Sequence, residues 1–129
     1  MAVPQLGNIG ERKDLLIRQG ATLGPFHFAL QNTDGTPVDL TGAAIRGQIR
    51  RKPADPAVAA DLVVTIPDPA SGQYKLTLSA EVTASLQCGP SADHPSSLYY
   101  WDLEFQDSIG QVLPLFWGEV RVHREVTRV

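Results

Sequence analysis

The chain has 129 residues, 43% of them hydrophobic and 19% charged, with a formal net charge of −3. That composition fits one soluble globular domain, large enough to bury a core without a metal or disulfide staple. The slightly acidic balance lowers the expectation of nucleic-acid binding, and the single cysteine, Cys88, excludes an internal disulfide. The first residues, "MAVPQLGNIGERKD", lack the basic start and apolar run of a signal peptide, and no stretch approaches the length of a membrane span. Neither a membrane nor a nucleic acid is therefore expected as a partner.

Residues 1–12 fall outside any periodic pattern and read as an extended N-terminal arm, with Val3, Leu6 and Ile9 as sparse apolar anchors. A single domain, 13–129, is expected to follow. "DLLIRQ" (14–19) reads as a first strand. "GPFHFALQ" (24–31) alternates, with Phe26, Phe28 and Leu30 on one face. The Asp34-Gly35 pair marks a turn. In "VDLTG", Asp39 or Thr41 can bond a nearby backbone N–H and Gly42 can take positive φ.

Residues 43–51 form the next predicted strand, with Ile45, Gly47 and Ile49 on one side and Arg46, Gln48 and Arg50 on the other. Residues 52–61 read as a loop with room for one helical turn. "LVVTI" (62–66) and "QYKLTL" (73–78) look like a hairpin joined by "PDPASG". "SAEVTASLQ" (79–87) is the one helical candidate, capped by Ser79. A polar loop over 88–97 follows.

"LYYWDLEFQDSIGQVLPLFWGEV" (98–120) holds six of the nine aromatic residues. Alternation puts Tyr99, Trp101, Leu103 and Phe105 on one face and Leu98, Tyr100, Asp102 and Glu104 on the other. The first set is expected to form core. Pro114 cannot donate to a sheet and marks an edge or a bulge. The last strand points Val120 and Val122 inward. Seven or eight short strands with one helical insert make an all-β chain. A two-sheet antiparallel sandwich is the favoured architecture, with a partly open barrel second.

The residues offer no catalytic constellation, and no catalytic, cofactor or metal residue is assigned. His27, His94 and His123 lie in separate segments without metal-ligand spacing. Cys88 and His94 lack a third group for nucleophilic catalysis. Asp102 and Glu104 share a strand face, as a glycosidase pair does, and equally as solvated acids do. "RGQIRRK" gathers Arg46, Arg50, Arg51 and Lys52 into a basic cluster suited to an acidic partner or a lipopolysaccharide phosphate, or equally to a solvated strand face. Tyr100 and Trp117 are candidate exposed aromatics, usable as interface anchors or as a sugar-stacking platform.

The order of segments carries more than any one residue. "LLIRQGATLGPFHFALQNTDGTPVDLTGAAIRGQIR", "SGQYKLTLSAEVTASL" and "YYWDLEFQDSIGQVLPLFWGEVRVHREVTR" together resemble a group of small tailed-bacteriophage virion proteins. They also resemble the β-sandwich heads of baseplate upper proteins. The resemblance spans roughly residues 14–128. It implies an Ig-like β-sandwich, no enzymatic activity and no cofactor. It further implies a place in the virion, after synthesis in the bacterial cytoplasm, among other virion proteins and further copies of itself. With no long C-terminal extension, an adaptor or decorating role is expected rather than host recognition. The alternative from a different class is a carbohydrate-binding module whose partner is a host-surface glycan.

Overall fold

The computed structural model describes residues 9–89 and 94–127. Nine strands and one helix lie among them: β1 (Glu11–Arg12), β2 (Leu15–Arg18), β3 (Leu23–Ala29), β4 (Ala44–Arg50), β5 (Ala60–Asp61), β6 (Val63–Thr65), β7 (Gln73–Leu78), α1 (Ala80–Ala84), β8 (Ser96–Gln106) and β9 (Val112–His123). A six-stranded sheet runs β1-β9-β8-β4-β5, with β2 also paired to β9, and a three-stranded sheet runs β3-β7-β6. The chain is all-β, and its two sheets share one apolar core.

The β8–β9 hairpin is the centre of the larger sheet. Tyr99, Trp101, Leu103 and Phe105 are all buried, as the period-two pattern predicts, and so are Val120 and Val122. Ile45 and Ile49 of β4 join them, and Leu23, Tyr74, Leu76 and Leu78 face them from the smaller sheet. Phe28 bridges the two sheets, 5.3 Å from Tyr74 and 5.2 Å from Phe116 between ring centroids. Trp101 in turn lies 6.4 Å from Phe116. Each such pair contributes about 0.5–1.5 kcal/mol beyond the area it buries.

Pro114 sits at a bulge. Leu103 pairs with Phe116 and Glu104 pairs with Pro114, so Leu115 is the extra residue on β9. Leu115 and Phe116 are both buried in consequence. The hairpin of β6 and β7 is antiparallel, as expected. Helix α1 is shorter than the predicted segment but starts as predicted, with the Ser79 hydroxyl accepting from the Val82 N–H at 3.2 Å. In "DLTG", Asp39 Oδ1 accepts from the Thr41 N–H at 2.9 Å and Gly42 takes φ 75°.

Three expectations need correction. The strand count is nine among the described residues, because short pieces at 11–12 and 60–61 also pair. The 52–59 stretch holds turns rather than a helical turn; Asp55 Oδ1 accepts from the Ala57 N–H at 3.0 Å and closes one of them. The larger sheet is mixed rather than antiparallel: β1 and β2 both run parallel to β9. Alternation records which face a residue takes, not the direction of the neighbouring strand. Phe26 and Phe28 do pair with the core residues Leu76 and Tyr74, but β3 is an edge strand and Phe26 stays 38% exposed.

The parallel N-terminal strap has a built receptor. Between β1 and β2 the backbone leaves the ladder at Lys13 and Asp14. The Trp101 indole N–H donates to the Lys13 carbonyl at 2.7 Å, and Lys13 N–H donates to Trp117 O at 2.8 Å. Gly118 makes this approach feasible. A Cβ there would overlap the Lys13 carbonyl oxygen and crowd Asp14 Oδ1 at 2.8 Å. Gly118→Ala is therefore expected to lower the urea midpoint, at a cost of about 1–3 kcal/mol. Hydrogen exchange at residues 12–17 should accelerate alongside. An unchanged midpoint would show that the strap does not depend on this contact.

Candidate functional site

The outward face of the larger sheet gathers most of the described residues singled out in the sequence. Arg46, Gln48 and Arg50 come from β4, Tyr100, Asp102 and Glu104 from β8, and Trp117 and Glu119 from β9. Register sets the rows: Gln48 pairs with Asp102 and Asp102 with Trp117, while Arg50 pairs with Tyr100 and Tyr100 with Glu119. Arg12 of β1 pairs with Trp117 and extends the first row. Tyr100 and Trp117, seventeen positions apart in "YWDLEFQDSIGQVLPLFW", thus occupy diagonal positions on neighbouring strands.

Both rings line one cleft of about 270 Å³, with Gln48, Arg50, Pro53 and Asp102. Trp117 is 48% exposed, a large apolar surface left open to water. Its position is nonetheless fixed. The indole N–H donates to the Gly10 carbonyl at 2.9 Å, and the Arg12 guanidinium lies 5.4 Å over the ring. Arg12 is held in turn by Asp14 and Glu119, each at 3.1 Å. Such exposed ion pairs contribute little stability singly, about 0–1 kcal/mol, but three contacts fix the guanidinium in place.

The opposite wall is equally tied down. Arg50 donates from one terminal nitrogen to the Asp55 carbonyl at 2.8 Å and from the other to Gln48 Oε1 at 2.9 Å. Gln48 Nε2 donates to Asp61 Oδ1 at 3.2 Å. The Asp102 carboxylate is exposed and has no hydrogen bond or ion pair among the described residues. The cleft therefore has two aromatic walls, two committed donors and one uncommitted acceptor.

Other candidates fall elsewhere. Arg46 is on the same face, beside Glu104 by register. Arg51 is separated from Arg46 and Arg50 by alternation. Its guanidinium lies 4.8 Å over the Tyr99 ring and donates to Leu98 O at 2.8 Å. Ile9 is 36% exposed at the start of the described chain, whereas Val3 and Leu6 lie outside the described residues. Among the described residues no group of three or more His, Cys, Asp or Glu side chains could hold a metal ion. The Cys88 thiol is buried and donates to the Val122 carbonyl at 3.3 Å; burial pushes its pKa up, away from a reactive thiolate.

Gln48, Arg12, Asp14 and Gly118 were not singled out from sequence as site residues. They become visible only once the register of β1, β4 and β9 is known. Comparison of the chain with protein-family models and with curated proteins finds no match.

Asp14 links the site to pH. Its Oδ1 accepts from the Glu119 N–H at 2.9 Å, filling the gap that the strap's kink leaves in the ladder. That hydrogen bond, followed by the one from Arg12, holds the Asp14 carboxyl below its ordinary value of 3.8. A lowered pKa stabilises the fold above the ordinary carboxylate range, and the contribution is lost as pH falls through the folded-state value. Acidification below the ordinary carboxylate range is therefore expected to loosen the strap and Trp117 with it. The Glu119 amide resonance reports this directly. Asp14→Asn should remove that acid-dependent step; a step that persists in the variant would assign it to another group.

Proposed function

We propose that this protein is a non-enzymatic structural subunit of a tailed-bacteriophage virion, an assembly adaptor or decoration at the tail, baseplate, neck or capsid. The observation that supports this reading best is the ordered motif set across residues 14–128 and where its members fall. "DLTG" forms the turn before β4, "SGQYKL" enters β7, and "YYWDLEF…GQVLPLFWGEVRV" is the β8–β9 hairpin. Each marks a joint of one two-sheet unit rather than a reacting group. The resemblance is therefore one of scaffold, and the finer reading of the fold is an Ig-like β-sandwich.

Two features suit a subunit that works by being rigid and repeated. The core is continuous from one sheet to the other. The chain also leaves the sheet along β9 at Gly10, whose N–H donates to Pro114 O at 3.1 Å. Residues 1–8, with the apolar Val3 and Leu6, are the segment we assign to ordering on a neighbour. The implied partners are other virion proteins and further copies of this chain, around a symmetry axis. Ordering such an arm costs conformational entropy, which is recovered only on assembly.

Two measurements test this. Mass spectrometry of purified particles should find the polypeptide at a fixed copy number, and particles lacking it would end the reading. Mass photometry should show a defined oligomer that falls to monomer when residues 1–8 are removed. This deletion spares β1, so the fold is kept. A monomer in both forms would exclude arm-mediated assembly of the isolated protein.

A further inference from the structure

The cleft between Tyr100 and Trp117 is required by neither the scaffold role nor the strap. The strap needs the Trp117 indole N–H and the Gly10 carbonyl. It does not need Tyr100, Asp102, Gln48 or Arg50 to line one concavity with that ring. We infer that this cleft is a binding site for a neutral pyranose, held by stacking on Trp117 and Tyr100 and by hydrogen bonds from its hydroxyls to Asp102.

The chemistry follows from what each wall has left to offer. A pyranose has one apolar face of C–H groups and a rim of hydroxyls. An exposed aromatic ring presents a flat, apolar, electron-rich face, which the C–H face covers without leaving a polar group unpaired. Arg12 lies over the Trp117 ring but does not line the cleft, so the indole keeps further surface for a ligand. Hydroxyl groups need acceptors as well as donors. Asp102 supplies two carboxylate oxygens, and these are uncommitted among the described residues.

Charge selects the class of sugar. The one cation lining the cleft, Arg50, already donates to Asp55 O and Gln48 Oε1. Around it the sheet face carries Asp102, Glu104 and Glu119, of which Glu119 is paired with Arg12 and Glu104 lies beside Arg46, so Asp102 is the carboxylate in the cleft lining. Within the cleft lining, an anionic sugar or a phosphate would meet Asp102 with no uncommitted cation to compensate, a cost that a neutral ring avoids. The cleft volume, about 270 Å³, has room for one sugar ring. Pre-fixed walls favour such binding, since few side chains are ordered when the ligand enters.

The test is an amide-shift titration of the whole protein with the methyl glycosides of glucose, galactose, mannose and N-acetylglucosamine. N-acetylneuraminic acid and glucose 6-phosphate serve as anionic probes. At least one neutral glycoside is expected to shift the amides of Trp101, Asp102 and Gly118 saturably, with a dissociation constant in the millimolar range. Asp102→Asn, at an exposed position, should weaken it about tenfold or more with an unchanged melting temperature. Trp117→Phe, which keeps a ring, should weaken it by less. Shifts from none of the neutral glycosides, tighter binding of an anionic probe, or full affinity in Asp102→Asn would each overturn the assignment. A blank titration leaves the virion reading intact, and particles lacking the polypeptide leave this one intact.

Discussion

Period-two alternation along the β8–β9 hairpin is the constraint on which the rest of the molecule depends. One face of that hairpin supplies Tyr99, Trp101, Leu103, Phe105, Val120 and Val122 to the core. The other face supplies Tyr100, Asp102, Trp117 and Glu119 to the outer surface. A slip of one residue would exchange the two sets, burying carboxylates and exposing the largest apolar side chains. Core and cleft are thus fixed by a single register. Truncating Leu103, which is fully buried, would alone forfeit about 2–5 kcal/mol. That register is set by burial and need not be set by the cleft.

The strap is the second dependency, and it works through groups of both faces. Trp101 belongs to the core by its ring, yet its indole N–H must find an acceptor, and the Lys13 carbonyl supplies it. A buried N–H without that partner would cost about 1–3 kcal/mol. Gly118 opens the space for the carbonyl, and Asp14 bonds the Glu119 amide that the kink leaves without a backbone partner. Together these three residues seat β1 and β2 parallel to β9 on either side of the kink at Lys13 and Asp14. On the outer side the same strap places Arg12 over Trp117 and the Gly10 carbonyl against its indole. The exposed ring is consequently held from the chain's own N-terminal segment.

This explains what was legible in the sequence. Strands β2 to β4 and β6 to β9 could be read because each carries alternation bounded by Gly, Pro or Asp turns. The aromatic segment was legible as core for the same reason. Strands β1 and β5 were not, since two residues carry no period. The parallel pairing of β1 and β2 was hidden because a strand's neighbours are a tertiary fact. Trp117 is exposed as expected and Tyr100 is half-buried, but their meeting depends on the register across the hairpin and its bulge at Leu115. Gln48 and Asp102 belong to the cleft by the same register, and no local signal marks them.

Rigidity connects the scaffold and the cleft without making either depend on the other. Arg50 serves both: its bond to the Asp55 carbonyl secures the turn that carries Pro53, and its bond to Gln48 sets the floor beside Asp102. Neither bond is needed to close the core, which Ile45 and Ile49 fill from the other side of β4. A strand in a pure scaffold needs only solvated polar groups on its outer face, free to move. Here Arg12, Gln48, Arg50 and Glu119 are cross-tied, while the Asp102 carboxylate, opposite Trp117 in register, has no hydrogen bond or ion pair among the described residues. Ordering these side chains has an entropic cost that the fold alone does not require. A ligand that uses them recovers that cost in affinity, because they are already in place when it arrives.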